Sequence, residues 1–461
     1  MKRNVVLFTV IVVVCMLLAA CAPAVTPTTA APVAPVATTA PAAPVATAAP
    51  VATAAPTAAA STGFVRLSFL IQGDDRNELN LYQQLVNEYE STHPNISISI
   101  DWLPWDAYET KLTTGFAAGT PPDIFWLWIN DMQYYASNNK LLDLTPYVQK
   151  DNYSLDNFFP VTLNAYKYNT GLYGIPRESS AIVLYYNKDL FDAAKLPYPD
   201  ASLTFDKYLE LAQKLTKKDA QGNITQFGSY AMTDYTSLWT VLWSMGGDVF
   251  DATKTKCVMN TPAAISAVQW MADLSNKYKV APTAGQAGAM NADQLFLSGK
   301  VAMYFSGRWS TMTLWNAGTS APHWDVAPVP ALSPETRATR TSAGAYAIAK
   351  DSKHPQETWD FLKFLTSEEA YTFLTKSGLI IPAYKPVANS DTFLQPGKDP
   401  AHGQIFLDAM SYARFEPIGP FYPKVTDVIN AGLGPVWDGT KTAAQVIPDL
   451  CPKLEAAAAG K

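Results

Sequence analysis

Charge is scarce in this chain. Only 16% of its 461 residues are Asp, Glu, Lys or Arg, against roughly 25% in ordinary soluble domains. The 34 Lys and Arg are outnumbered by 40 Asp and Glu, a formal net charge of −6. Phosphate backbones need concentrated basic residues, so nucleic acid is excluded as the main partner. Histidine and cysteine are equally sparse, four of each. His93 and His354 precede prolines, His323 follows one, and His402 stands alone. None has a second His at ligand spacing, so no metal site is expected. The Gly-x-Ser-x-Gly elbow, the phosphate loop, His-Glu-x-x-His, Cys-x-x-Cys and the dinucleotide fingerprint are all missing. No catalytic residue, cofactor or enzymatic activity is expected. A glycosidase-type carboxylate pair among Asp74, Glu178 and Asp234 stays open as an alternative, with no local motif behind it.

What the chain does have is apolar and aromatic material: 48% hydrophobic residues, with 12 Trp, 23 Tyr and 20 Phe. Low charge and many rings suit a secreted protein that handles neutral, polar ligands. The N-terminus reads as an address. Lys2 and Arg3 precede the stretch 5–20, which is apolar apart from Thr9. Sixteen residues fit a signal peptide better than a membrane span of about 20, although an uncleaved anchor is the other reading. Leu18-Ala19-Ala20-Cys21 resembles a bacterial lipobox, so residues 1–20 are read as a signal peptide and Cys21 as the lipidated first residue of the mature chain. Every residue from Ala22 to Ala60 is Ala, Pro, Val or Thr. Regular proline blocks helix and sheet pairing, making 21–62 a semi-rigid tether.

From about Gly63 the pattern changes. Residues 65–71 read as a buried strand, Leu81, Leu85, Val86 and Tyr89 as a helix face, and 96–100 as a period-two strand. A helix with Tyr108, Leu112 and Phe116 follows, then an apolar strand from Asp123. This alternation predicts an α/β protein with a parallel sheet covered on both faces. A strand over 181–186, helices over 205–215 and 263–278, and one long helix over 357–376 are also predicted. A single core of this size is unusual, so two lobes are expected.

Five segments carry a more specific signal. They are Gly119-Thr120-Pro121-Pro122-Asp123-Ile124; Tyr173-Gly174-Ile175-Pro176 with Tyr185-Tyr186-Asn187-Lys188-Asp189-Leu190-Phe191; Ala302-Met303-Tyr304-Phe305-Ser306-Gly307-Arg308-Trp309; residues 342–348; and residues 359–365. In this order they resemble the bacterial extracellular solute-binding proteins that serve ABC importers, and within them the sugar-binding group that includes maltodextrin-binding proteins. The resemblance covers about 65–454. It implies the two-lobe periplasmic-binding-protein (type II, Venus-flytrap) fold, with 63–178 and 342–390 as one lobe and 179–341 and 391–455 as the other. Crossings are expected near 178–181, 341–345 and 389–392. A monomer is implied that captures a sugar in the cleft between the lobes and delivers it to permease subunits driven by a cytoplasmic ATPase, while lipid on Cys21 ties it to the outer face of the membrane. A non-sugar solute on the same fold is the alternative.

Sugar recognition needs planar acceptors and donors at the ring edge and aromatic faces over the C–H patches. The candidate ligand-binding residues are Asp74, Trp126, Trp128, Asp131, Arg177, Glu178, Asp234, Tyr235, Trp239, Trp309, Gly344, Phe421 and Tyr422. Alternation is taken to send one of Trp126 and Trp128 to the core and the other, Trp128, to the cleft. Arg177 and Glu178 are either ligand contacts or a mutual pair at the hinge; Asp74 is a cleft turn or a helix cap. Trp309 closes the family's Ala-Met-x-x-x-Gly-x-Trp motif and is expected beneath the sugar. Cys257 and Cys451 are the thiols left once Cys15 has departed and Cys21 is acylated. A disulfide between them is expected, two separate buried thiols being the alternative.

Overall fold

A computed structural model describes residues 63–73, 76–417, 419 and 421–460. The segments expected to be a signal peptide and tether, 1–62 with Cys21, and Asp74 lie outside the described residues. The strands that position the site are β1 (Val65–Gln72), β2 (Ile96–Leu103), β3 (Ile124–Trp128), β4 (Ile175–Ala181), β5 (Val183–Asn187), β6 (Met303–Ser306), β7 (Trp324–Ala327), β8 (Thr339–Ile348), β9 (Ile381–Pro382) and β10 (Ala413–Arg414). The helices around them include α1 (Arg76–Thr92), α2 (Trp105–Ala118), α3 (Ile129–Ser137), α4 (Phe205–Leu215), α5 (Tyr235–Ser244), α6 (Pro262–Asn276), α7 (Ser310–Asn316), α8 (Pro355–Leu365), α9 (Glu368–Lys376), α10 (Tyr422–Trp437) and α11 (Ala443–Ala458).

The larger sheet runs β9-β4-β8-β3-β1-β2, with β10 added alongside β8. It begins as the sequence pattern predicts. Val65, Leu67 and Phe69 of β1 are buried and Arg66 is exposed, and β1 pairs in parallel with both β2 and β3. Asp123 of the Gly-Thr-Pro-Pro-Asp-Ile segment pins this end. Its carboxylate accepts from the Ser68 amide at 2.9 Å, the Ser68 hydroxyl at 2.8 Å and the Ser352 hydroxyl at 2.6 Å. The sheet is not parallel throughout, however. β8 enters antiparallel to both β3 and β4, because the chain reaches it from a second core and runs back along the first.

Two other expectations change. Residues 181–186 do not form one strand: β4 ends at Ala181 and β5 starts at Val183 in a separate antiparallel sheet, β6-β5-β7. Ile182 sits between them and donates its amide to the Arg340 carbonyl at 3.2 Å. The long helix 357–376 is two helices, because Ser367 turns its hydroxyl to accept the Ala370 amide at 3.2 Å and so caps α9. A helix start at that point requires extended backbone before it.

Apolar side chains gather in three buried clusters. One holds residues from Val65 to Ile175, returning with 343–387. The second draws on residues from Leu184 to Ala338 and then α10 and α11. The third, around β5 to β7, adds Phe393 and Phe406. The chain passes between them at Ala181–Ile182, at 338–343, and again between Val387 and Phe393. Arg308 braces that last passage. Its guanidinium is buried over the rings of Trp315, Phe393 and Phe406 and donates to the Phe393 carbonyl at 3.1 Å. Burial holds its pKa down, at about 10. No helix among the described residues is long and apolar enough to cross a membrane.

Cys257 and Cys451 are joined by a disulfide, with Cα atoms 5.3 Å apart across a sequence separation of 194. Beside it the Cys257 amide donates to Glu455 at 3.0 Å, so α11 is held to the second core twice. Replacing both cysteines with Ser should lower stability by about 2–5 kcal/mol, read by urea unfolding. A non-reduced tryptic digest of the native chain should contain one cross-linked peptide pair. Two alkylatable thiols would contradict the bond.

Candidate functional site

Period-two geometry places residues two apart on the same face of a strand. Trp126 and Trp128 therefore point the same way, which corrects the expectation that one faces the core and the other the cleft. Both rings stand edge-on to Trp105, at centroid distances of 5.9 and 5.1 Å. They differ in depth instead. Trp126 is 7% exposed, its indole N–H donating to Glu178 at 3.0 Å. Trp128, the last residue of β3, is half-buried at the carboxyl end of the strand.

Arg177 and Glu178 are buried in the joint between β4 and β8. The Arg177 guanidinium bonds to Glu178 and to the Tyr82 hydroxyl, and lies 3.6 Å from Glu78. Tyr346 donates to Tyr82 at 3.3 Å. Desolvation alone pulls the Arg177 pKa down, but Glu178, Tyr82, Tyr346 and Glu78 override it and hold the pKa above its ordinary value. With both Glu178 oxygens engaged, by Trp126 and by Arg177, these residues form a mutual lock at the joint. Gly344 belongs to the same lock: a Cβ there would collide with the Trp126 indole and the Glu178 carboxylate. Its role is to leave room for that bond.

A second polar cluster lies at the seam between the first and second cores. Arg340 of β8 donates to Glu416 from Nε at 2.9 Å and from a terminal nitrogen at 2.7 Å. Asn130 at the start of α3 donates to the same carboxylate at 2.7 Å, and Tyr422 at the start of α10 donates at 3.0 Å. The Tyr235 hydroxyl bonds to that of Tyr422. Arg340 stacks over Trp128 at 5.3 Å and Tyr235 at 5.9 Å, and Trp128 meets Tyr422 edge-on at 5.9 Å. Burial, with Glu416 nearby, pushes the Tyr235 pKa up and keeps its hydroxyl protonated. Three sequence candidates, Trp128, Tyr235 and Tyr422, are thus brought together. Asn130, Arg340, Glu416 and Trp105 join them without having been singled out, since none lies in a motif that marks a site.

The remaining candidates divide. Asp131 follows Asn130 and is half-buried; burial, then Glu109, raises its pKa to about 8. Glu109 on α2 is pushed up to about 7 by burial, Asp106 and Asp427. Asp234 caps α5, accepting the Ser237 amide at 2.9 Å. Trp239 is fully buried against Trp243 and Tyr235, so its ring fills the second core and not the cleft wall. Phe421 is exposed, but its ring lies against Gly460 at the end of the last helix, turned from the seam that its neighbour Tyr422 enters. Trp309 stands apart from the cluster, 39% exposed at the start of α7, its ring folded beside Gly307. A cavity of about 540 Å³ is lined by residues including Trp315, His323, Trp324 and Lys398. None of them borders the seam, and Trp315 is already stacked by Arg308 and Lys398.

Residues 73–372 match the family model described as bacterial extracellular solute-binding protein. The chain belongs to that family. It is a family of binding proteins and not of enzymes, and its members work outside the cytoplasm. Among relatives, this solute-binding protein is 25% identical to the galactooligosaccharide-binding protein of Bacillus subtilis, covering 71% of this chain and 76% of that one. It is 24% identical to the maltotriose-binding protein of Pyrococcus abyssi over 80% and 75% of the two chains. Its fold matches maltose-bound T. maritima MalE3 with a TM-score of 0.75 and 25% identity, covering 85% of this chain and 99% of that one.

Carboxyl groups whose folded pKa is raised stabilise the fold fully only below their unfolded value, near 4, and that contribution is lost as pH rises through the folded pKa. Thermal stability should therefore fall between about pH 4 and pH 8 as Glu109 and then Asp131 resist ionising. The double variant E109Q/D131N should flatten that decline in a melting series from pH 4 to 9. An unchanged slope would show that these carboxyls ionise freely.

Proposed function

We propose that this solute-binding protein is the sugar-capturing subunit of an ABC importer, taking a neutral sugar or oligosaccharide into a cleft between two lobes and handing it to a permease. The observation that carries the reading is the seam itself: half-buried Trp128 with Trp105, Tyr235 and Tyr422, arranged around hydrogen-bonding groups contributed from both cores. Flat apolar rings beside planar acceptors complement the C–H faces and hydroxyl edges of a pyranose. Relatives that bind galactooligosaccharide and maltotriose support the same reading. The lobes proposed are 63–178 with 342–390, and 179–341 with 391–455. The hand-over of core residues at Ala181–Ile182, over 338–343, and between Val387 and Phe393 supports them. Trp309 is proposed as a stacking platform, supported by an exposed indole at the carboxyl end of β6.

A thermal-shift screen of mono- and oligosaccharides tests this. A ligand at about 100 times its Kd should add about 2.7 kcal/mol to the folded state, and Trp309→Ala should lower affinity for it by about 2–4 kcal/mol, as removal of a binding hot spot does, with the unliganded melting temperature unchanged. If no sugar shifts the transition, the reading falls.

Lipid anchoring at Cys21 is proposed from the Leu-Ala-Ala-Cys segment and the Ala/Pro/Thr/Val tether behind it. Expressed with its own leader, Cys21→Ser should leave the membrane fraction and appear in the medium or periplasm. Retention with the membrane would mean that something else holds the chain there.

A further inference from the structure

Glu416 is 1% exposed, yet only one of its oxygens is used. The two Arg340 donors, the Asn130 amide and the Tyr422 hydroxyl all end on Oε1. Oε2 is buried without a partner among the described residues, and so is Oδ1 of Asn130, whose amide nitrogen is committed to Glu416. A buried acceptor left unmade costs stability, and native structures rarely tolerate one without a reason. Here two such acceptors belong to side chains already bonded to each other, so they lie close together at the seam. Asn130 comes from α3 of the first core, and Glu416 from the stretch just after β10, where its neighbour Phe415 also packs against that core.

We propose that Glu416 Oε2 and Asn130 Oδ1 are the acceptor pair that receives two hydroxyls of a neutral sugar ring, and that they fix its chemical class; this rests on the sugar reading above. Charge decides the class. Arg340 neutralises Glu416 and is itself held between Trp128 and Tyr235, so an ammonium group at Oε2 meets a guanidinium on the same carboxylate. A uronic acid or sugar phosphate would set its negative charge against two acceptors. Neighbouring hydroxyls supply two donors without charge, while the rings of Trp128 and Tyr422 can border the sugar's apolar surface. A bridging water is the rival occupant.

The test is titration calorimetry of the whole chain with lactose, maltotriose and mannobiose, on wild type, Glu416→Gln and Asn130→Ala. Gln keeps an oxygen for Arg340, Asn130 and Tyr422 but places an N–H donor where Oε2 stood. For any probe the wild type binds, both variants should bind at least tenfold more weakly. In the wild type, at least one deoxyfluoro analogue of that probe should lose tenfold, since fluorine cannot donate; the same analogue should lose nothing further in Glu416→Gln. Should Glu416→Gln fail to fold, the wild-type fluorine series and Asn130→Ala decide. Variants within threefold of wild type, or no fluorine substitution costing more than threefold, overturn the acceptor pair and leave the sugar reading standing. A crystal structure with a water on both acceptors, with and without sugar, overturns it as well. If none of the three binds, the same series is run on a sugar that the thermal-shift screen finds, and a screen that finds none overturns both.

Discussion

A guanidinium held out of water is the constraint around which the first core is arranged. Burying Arg177 is tolerable only with carboxylates and hydroxyls fixed close by, and they come from three directions: Glu178 beside it on β4, Glu78 and Tyr82 from α1, and Tyr346 from β8 through Tyr82. Glu178 in turn holds the Trp126 indole, which fixes the end of β3. The β4–β8 register therefore has little freedom. Gly344 opposes Glu178, and the register shifts immediately after it, between Gly344 and Ala345. A larger residue at 344 displaces the tryptophan or the carboxylate, and either one loosens Arg177.

The seam cluster is coupled to this lock through one strand. Arg340 and Gly344 are four residues apart on β8 and share a face, with Arg340 gripping Glu416 and Gly344 making space for Glu178. Movement of the second core relative to the first has to bend β8 between them. Small residues fill that stretch, Ser342 and Ala343 facing Ser180 and Ser179, and a backbone carrying small side chains absorbs rotation with little repacking. Polar contacts at the seam and the position of Trp126 are thus linked through a few residues of strand.

Much of the fold was legible because burial writes itself as periodicity. Alternation in β1 and β2, and the helical spacing of Tyr108, Leu112 and Phe116, reflect which face meets the core. The places where reading failed are those where a single local bond outweighs the pattern: the Ser367 cap that divides α8 from α9, and the Ile182 bond that splits β4 from β5. The site was less legible. Ordered motifs pointed to the family and to the neighbourhood of Trp128, Tyr235 and Tyr422. Misreading strand parity separated Trp126 from Trp128, although both face Trp105. Glu416 and Arg340 carry no sequence signal, since an isolated Glu and Arg 76 residues apart become partners only after the chain has crossed between cores.

Those crossings bear on the order in which the protein can be completed. The first core needs residues up to Val387, and the second needs Leu450, Cys451 and Leu454 in α11. A chain emerging residue by residue from its N-terminus cannot finish either body when half of it is out, because each is interrupted by the other. Domains that are contiguous in sequence can fold in turn during synthesis; here both must wait, and the second waits almost to the last helix. The same interleaving that gives the joint its several connecting strands therefore keeps the chain incomplete until nearly all of it has been made.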